Sequence, residues 1–239
     1  MTTYDLYLES GPKRRKTMVH VIDLAGCVAT GPTTEDALAA TPEAIRAFLR
    51  LLARHGEPVD PAASFETRVA EHVTEGQWLG NGSPYVVYPP DLQPIFDEEI
   101  AAVLRRVEWI GGELADWAAS QSDEQLDAAP EERGRTTRAI LLHVLGAQGG
   151  SVAAALGGST GFHALHSAAE RGEVALPDAL RRSAALVAER VWAASPEERR
   201  STTPRSTRNY TLRKALRRTA EHAWEHLAEL ARRPEGPAI

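Results

Sequence analysis

Cysteine is almost absent from this 239-residue chain. Its single copy, Cys27, excludes an internal disulfide and a cysteine-based zinc ribbon. The sequence also has no G-x-S-x-G elbow of a serine hydrolase and no glycine-rich phosphate loop of the P-loop or dinucleotide type. The formal net charge of -6 argues against nucleic-acid binding by a broad basic surface.

Long apolar runs are also scarce in the sequence. The opening MTTYDLYLES lacks the basic-then-apolar design of a signal peptide. No apolar run approaches the roughly 18 residues that span a bilayer. We therefore expect a cytoplasmic protein with no membrane or nucleic-acid partner. A small-molecule ligand is the expected partner, and a homodimer stays open.

The first third of the chain has the pattern of a small β-β-β-α-β module. β-branched and aromatic residues alternate in short runs that turn residues separate, which favours strands. The pattern predicts strands at Tyr4–Glu9 and Thr17–Leu24, a bend and a third strand over residues 25–31, and a last strand at Phe65–Val73. A helix lies between the third and the last strand. Thr33 or Thr34 caps this helix, and Pro42 bends or interrupts it.

This module resembles the HicB-type antitoxin domain over about residues 4–73. The residues that carry the resemblance are V-I-D-L-A-G-C at 21–27, G-P-T-T-E-D-A-L at 31–38 and E-A-I at 43–45. Ala25 stands where that family usually has proline. The resemblance implies binding of a small RNA-cleaving toxin. The chain shows none of the DNA-binding elements often appended in that family, so a scaffold or ligand-sensing role stays open.

Residues 74–90 form a linker that is rich in glycine and proline. It is also unusually aromatic, with Trp78, Tyr85 and Tyr88. These side chains either pin two domains together or line a pocket. The sequence alone favours the first interpretation and leaves the second open.

Beyond residue 90 the pattern is helical throughout. Apolar residues at spacings of three and four predict main helices over residues 91–121, 136–156, 177–194 and 209–232, a short helical piece over 162–171, and loops at 130–134 and 157–160. Gly111-Gly112 predicts a kink or a close helix crossing. We thus predict an α+β fold with two domains: an α/β module at 1–73, the linker at 74–90 and a helical bundle at 91–239.

The last predicted helix carries a pair of histidines. His222 and His226 project from the same face because residues four apart lie one turn apart. Such a pair is either half of a metal site or two core histidines with hydrogen-bond partners, and the spacing alone favours the second. His143 lies in an apolar stretch of the second main helix, so packing of helices in a bundle can bring it to the pair. Three neutral imidazoles would leave positions open for water or substrate, as in catalytic metal sites.

The spacing H-A-W-E-H differs from the H-E-x-x-H of zincin proteases, because Glu225 directly precedes the second histidine. Gln148 and Glu225 are candidates for supporting the metal ligands by hydrogen bonds, and the sequence assigns no catalytic residue. Arg213, Arg217 and Arg218 could attract an anionic ligand, although a solvated helix face is the favoured interpretation.

Residues 91–232 resemble the DinB-like superfamily of four-helix bundles, which includes mycothiol- and bacillithiol-dependent enzymes. The resemblance rests on L-L-H-V-L-G-A-Q around His143, T-L-R at 211–213 and H-A-W-E-H-L at 222–227. It implies that His143, His222 and His226 bind a divalent metal, zinc or nickel, and it brings in a low-molecular-weight thiol as cofactor. A metal-dependent thiol transferase or hydrolase is one expectation. A non-enzymatic, metal-stabilised binding module with a HicB-like interaction domain is the other.

Overall fold

A four-stranded sheet followed by helices gives the protein an α+β fold. The structure is a computed structural model, and it describes residues 1–130, 134–158 and 161–239. Residues 131–133 and 159–160 belong to the predicted loops and lie outside the described residues.

The sheet has the strand order β3-β2-β1-β4. Its strands are β1 (Thr2–Ser10), β2 (Arg15–Val21), β3 (Val28–Thr33) and β4 (Phe65–Val73). β1 pairs antiparallel with β2 and parallel with β4, and β2 pairs antiparallel with β3. The predicted order β-β-β-α-β is confirmed. The second strand is shorter than predicted because residues 22–24 form a 3-10 turn.

Helix α1 (Thr34–Arg54) covers one face of the sheet. Thr33 is its N-cap and accepts a hydrogen bond from the backbone N–H of Asp36, as the sequence predicts. The helix continues through Pro42, so of the two predicted effects, a bend or an interruption, the interruption is wrong. Burial of an apolar face against the sheet explains this continuity, because tertiary packing supplies most of the stability of a helix in a protein.

Seven further helices lie in the described part of the chain after the sheet. They are α2 (Asp97–Ala119), α3 (Asp123–Asp127), α4 (Thr137–Leu156), α5 (Phe162–Glu170), α6 (Leu176–Trp192), α7 (Pro196–Arg200) and α8 (Leu212–Ala231). The four long helices were predicted, whereas α3 and α7 were not.

Two of the long helices begin later than predicted. α2 begins at Asp97 because Pro89–Leu92 forms a separate 3-10 turn, and Glu99 then accepts from the backbone N–H of Phe96. α8 begins at Leu212, after the Thr211 cap.

The two glycines in the middle of α2 do not break the helix. α2 runs unbroken through Gly111 and packs against α6. A Cβ added at Gly111 would lie 3.6 Å from the Ala184 Cβ atom, which is an ordinary van der Waals contact. The structure therefore shows helix packing at Gly111, without the unusually close approach that would require glycine.

Helix α4 corrects the expectation that the chain has no apolar stretch near the length of a membrane span. It is 20 residues long with a mean hydropathy of 1.6, which by length and composition would suffice to span a membrane. Half of its most apolar window is buried inside the protein. It packs against α6 and α8, so it serves here as a core helix of the bundle.

The sheet and the bundle share one hydrophobic core. A single cluster of buried residues includes Leu6 and Val19 of the sheet and Ile110 and Leu141 of the bundle. At its centre, the ring of Trp224 on α8 makes an edge contact with a ring of α1, Phe48, at 5.1 Å between centroids. α8 therefore packs on the bundle with one side and on the sheet module with the other.

Candidate metal centre

Three histidines meet where α4 and α8 pack together. His143 comes from the first half of α4, and His222 and His226 come from successive turns of α8. The three ring centroids lie 4.6 to 5.1 Å apart. His226 is buried, His222 is half-buried and His143 is exposed, so the cluster is open to solvent on the side of His143. The predicted juxtaposition of the three residues is present.

The spacing of the nitrogen atoms suits one metal ion. The Nε2 atoms of His143 and His222 are 3.1 Å apart, and one nitrogen from each histidine lies within 4.8 Å of the others. Imidazole nitrogens bind zinc at about 2.0–2.1 Å, which places two ligand nitrogens about 3.0–3.5 Å from each other. The pair from His143 and His222 already has this spacing.

The surroundings keep two of the imidazoles neutral. Burial is the main cause that lowers the pKa of His222 well below its ordinary value, and the neighbouring His226 adds to it. The pKa of His143 is lowered by the partial burial of its ring, which is exposed on one side only, and by His226. Metal ions bind the neutral imidazole, so lowered pKa values reduce competition from protons.

Glu229 orients the third histidine, and sequence reasoning missed it. Its Oε2 atom lies 2.6 Å from Nδ1 of His226. A carboxylate at this distance holds a proton on Nδ1 and leaves the lone pair of Nε2 for a metal, which is the usual support for a metal-binding histidine. The sequence signal that could have identified Glu229 is its spacing of three residues from His226, which places both side chains on one helix face. Arg135 lies 3.5 Å from the same carboxylate.

The histidines line a cavity of about 740 Å³. Helices α4 and α8 form one side of it. The linker contributes Trp78 and Tyr85, and β2 contributes Lys16. The cavity is large enough for a small organic molecule.

The two residues predicted to support the ligands both line this cavity. Gln148 is 1% exposed, and neither its amide oxygen nor its amide nitrogen has a hydrogen-bond partner among the described residues. Glu225 is half-buried. Neither belongs to the group of three histidines that could bind the ion, so both are neighbours of the candidate metal centre.

The three linker aromatics divide into two groups. Trp78 and Tyr85 line the cavity, so for these two the pocket interpretation holds. Tyr88 is 1% exposed and does not line it. Its ring packs instead against His20 of the sheet at 5.6 Å and lies under the guanidinium of Arg217.

The favoured interpretation of the α8 arginines as a solvated face is wrong for two of the three. Arg217 and Arg218 are 2% and 6% exposed, whereas Arg213 is half-buried. Both buried arginines donate to the carboxylate of Glu221, which is itself fully buried. They are buried because α8 packs on two sides, and a single apolar stripe does not reveal that. Arg218 also lines the cavity.

These charges form one buried network between the sheet, the linker and α8. Arg217 donates two hydrogen bonds, of 2.8 and 2.7 Å, to the carboxylate of Asp91. Nδ1 of His20 lies 3.1 Å from Glu221. The neighbouring cations hold the pKa of Glu221 well below its ordinary value, against the effect of burial. Each buried charge in this network thus has a partner of opposite sign.

A second anchor fixes the linker at the cavity. The carboxylate of Glu9, on β1, is buried and accepts hydrogen bonds from the backbone N–H groups of Gly82 and Ser83 at 2.6 and 2.9 Å. The Lys214 ammonium is also buried and donates to the carbonyl oxygens of Pro84 and Arg208 at 2.6 and 3.0 Å. The sheet and the start of α8 therefore position two segments of the cavity wall.

Comparison of the chain with family models, with curated proteins and with solved structures finds no match. The residues and geometry of the centre are therefore the basis for a functional proposal. Three observations matter most: the three histidines, the cavity in front of them and the buried charges that hold its walls.

Proposed function

We propose that His143, His222 and His226 bind one divalent metal ion, zinc or nickel, and that the protein is a metal-dependent transferase or hydrolase acting on a small molecule. The observation that carries the proposal is the convergence of three imidazoles from two helices at the wall of a 740 Å³ cavity. The donor set fits such an ion, because its nitrogens are close together, the pKa values of His143 and His222 are lowered, and Glu229 supports His226.

A catalytic centre agrees with this site better than a structural one. Structural zinc sites are usually closed by four protein ligands, whereas three histidines leave positions for water or substrate. The exposure of His143 and the adjoining cavity give a small molecule access to those positions. When bound, such a metal lowers the pKa of a coordinated water or thiol.

The resemblance of residues 91–232 to DinB-like bundles supports the same proposal and adds a low-molecular-weight thiol as the co-substrate. In that interpretation the chain's own residues hold the metal and enclose the cavity. The HicB-like module supplies part of the wall through Lys16 and, through Glu9, the anchor of the linker. A toxin partner finds no comparable support in these contacts.

The direct test is the metal content of untagged protein. We expect about one zinc or nickel ion per chain, and at least a tenfold loss of affinity when His143, His222 or His226 is changed singly to alanine, since each supplies a ligand. His163→Ala is the matched control, because His163 is exposed and outside the cluster. Protein that binds no metal stoichiometrically would contradict the proposal.

Turnover separates the enzyme from a metal-stabilised binding module. Metal-loaded protein is assayed for thiol consumption with mycothiol, bacillithiol and glutathione against small electrophiles, and for hydrolysis of small esters and amides. Activity that the histidine variants lose supports the enzyme. Full metal loading without turnover favours the binding module.

A further inference from the structure

The cavity in front of the histidines is strongly cationic. Its wall contains four basic side chains: Lys16, Arg135, Arg208 and Arg218. Among the described lining residues, Glu225 is the one carboxylate. A divalent metal at the histidines would add further positive charge to the same space.

Two of these four cations have a carboxylate partner and two do not. Arg218 donates to Glu221 at 2.7 Å, and Arg135 lies 3.5 Å from Glu229. The ammonium group of Lys16 contacts the amide oxygen of Asn81. Within residues 1–130, 134–158 and 161–239 no carboxylate is described within ion-pair distance of Lys16 or of Arg208. Their charge is therefore available to a ligand.

The guanidinium of Arg208 is also dispensable for holding its own loop. Lys214 fixes that loop through the backbone carbonyl of Arg208, at 3.0 Å. A short antiparallel bridge between Arg205 and Tyr210 closes it. Backbone groups therefore hold the loop, and the Arg208 side chain is not needed for that purpose.

Gln148 provides an independent indication of a polar ligand. It lines the cavity, it is 1% exposed, and both polar atoms of its amide lack partners in the described part of the chain. Buried side-chain amides are nearly always hydrogen-bonded, so an unpaired amide beside a cavity indicates that a polar partner is missing there. Its N–H donors suit the oxygen atoms of an anion.

The backbone is strained where it presents these side chains. Lys16 and Trp78 have φ angles of 54° and 62°, and Asn209, which follows Arg208, has a φ of 53°. Residues other than glycine rarely adopt this conformation, although asparagine does so more readily, and it tends to occur where a functional site requires it. Lys16 and Trp78 line the cavity, and Asn209 adjoins a residue that does.

We propose that this cavity binds a small organic anion whose carboxylate or phosphate group lies at Lys16 and Arg208 and whose apolar part lies against Trp78. The inference rests on the proposed metal centre, because the other end of the ligand faces the three histidines. The inference extends the proposed function because it names the class of substrate.

Binding of three related probes to wild-type protein tests the proposal by isothermal titration calorimetry. Phenylacetate and phenyl phosphate carry the two candidate anionic groups, and phenylacetamide is a neutral analogue of the first. Each is titrated into zinc-loaded and into metal-free protein. We expect at least one anion to bind tenfold or more tightly than the amide, and the preferred anion identifies the group.

The double variant Lys16→Gln/Arg208→Gln removes the two unpaired cations. We expect it to weaken anion binding by about tenfold or more while its zinc affinity stays as in wild type, because charge-assisted hydrogen bonds to an anion are among the stronger polar contacts. The matched control is Arg105→Gln/Arg182→Gln, which removes two exposed arginines outside this cavity. It should bind the anions as wild type does.

Failure of this inference is distinguishable from failure of the metal centre. If the double variant binds anions as tightly as wild type, or if neither anion is preferred over the amide, the anion site is refuted whatever the zinc content. If zinc does not bind at all, the metal centre is refuted. The metal-free titrations then still decide the inference, because the difference between wild type and double variant should persist in them.

Discussion

Replacing Arg217 by methionine tests the buried charge network most directly. The guanidinium is 2% exposed and makes its hydrogen bonds to two carboxylates, Asp91 and Glu221, that are both 0% exposed. Methionine keeps much of the apolar stem and removes the charge. The change leaves Asp91 with the backbone N–H of Tyr88 at 3.1 Å as its remaining described donor.

We expect Arg217→Met to lower the free energy of unfolding by about 3–5 kcal/mol, the usual cost of leaving a buried charge without its partner. The lower end of this range is the better expectation. Glu221 keeps the hydrogen bond from Arg218, at 2.7 Å, and the contact with Nδ1 of His20, at 3.1 Å, so the loss falls mainly on Asp91.

Urea denaturation followed by circular dichroism measures this loss. The matched control is Arg68→Met, which breaks an ion pair between Arg68 and Asp5 on the exposed side of the sheet. That pair should contribute at most about 1 kcal/mol. The double variant Asp91→Asn/Arg217→Met should lose less than the sum of the two single variants, because residues in one network couple. A cost for Arg217→Met no larger than that of the control would refute the reasoning.

Two further predictions concern single residues beside the cavity. Glu229→Gln should weaken zinc binding by about 10–100-fold, as is usual when the group that orients a ligand histidine is lost. Competition with a chromogenic chelator measures the zinc affinity. An unchanged affinity would show that Glu229 does not support His226. Burial lowers the pKa of Lys214 to about 7 from 10.5. Between these values the unfolded chain binds more protons than the folded one, so the Lys214 contribution to stability should rise with pH, by at most about 1.4 kcal/mol per pH unit. Urea denaturation of wild type and Lys214→Met at pH 7 and pH 9 measures this; a difference between the two proteins that stays constant would contradict it.

Local patterns predicted the secondary structure well. Cap residues and apolar periodicity placed α1 and α4 to within a residue or two at their starts, because Thr33 and Thr136 accept hydrogen bonds that depend only on neighbours. The order of the strands along the chain came from the same kind of signal. The start of α2 was missed because a proline-rich 3-10 turn and an amphipathic helix look alike in a short stretch.

The histidine cluster was within reach of the sequence because two of its members follow helical geometry. His222 and His226 share a face by spacing alone, and only the approach of His143 required the assumption of a bundle. The cavity wall was beyond such reasoning. Glu9 reaches the backbone of Gly82 across 73 positions of sequence, and no local pattern encodes such a contact.

The burial of Arg217 and Arg218 was the clearest failure of the sequence reasoning. A charged residue beside an apolar stripe usually faces water. On α8 the side opposite the bundle is covered by the sheet and the linker. There Arg217 pairs with Asp91, and both arginines pair with Glu221 of α8 itself. The pair with Asp91, 126 positions away in the sequence, depends on tertiary packing and is visible only in the folded structure.

The position of α8 late in the chain has a consequence for biosynthesis. This one helix supplies Trp224 to the shared core, Arg217 to the buried charges and two of the three histidines. Until the ribosome has released it, the sheet module and the earlier helices lack their common packing partner and expose the surfaces that it covers. Contacts between residues so far apart in sequence form slowly. Nascent chains that stall before α8 should therefore be substrates for chaperones and proteases.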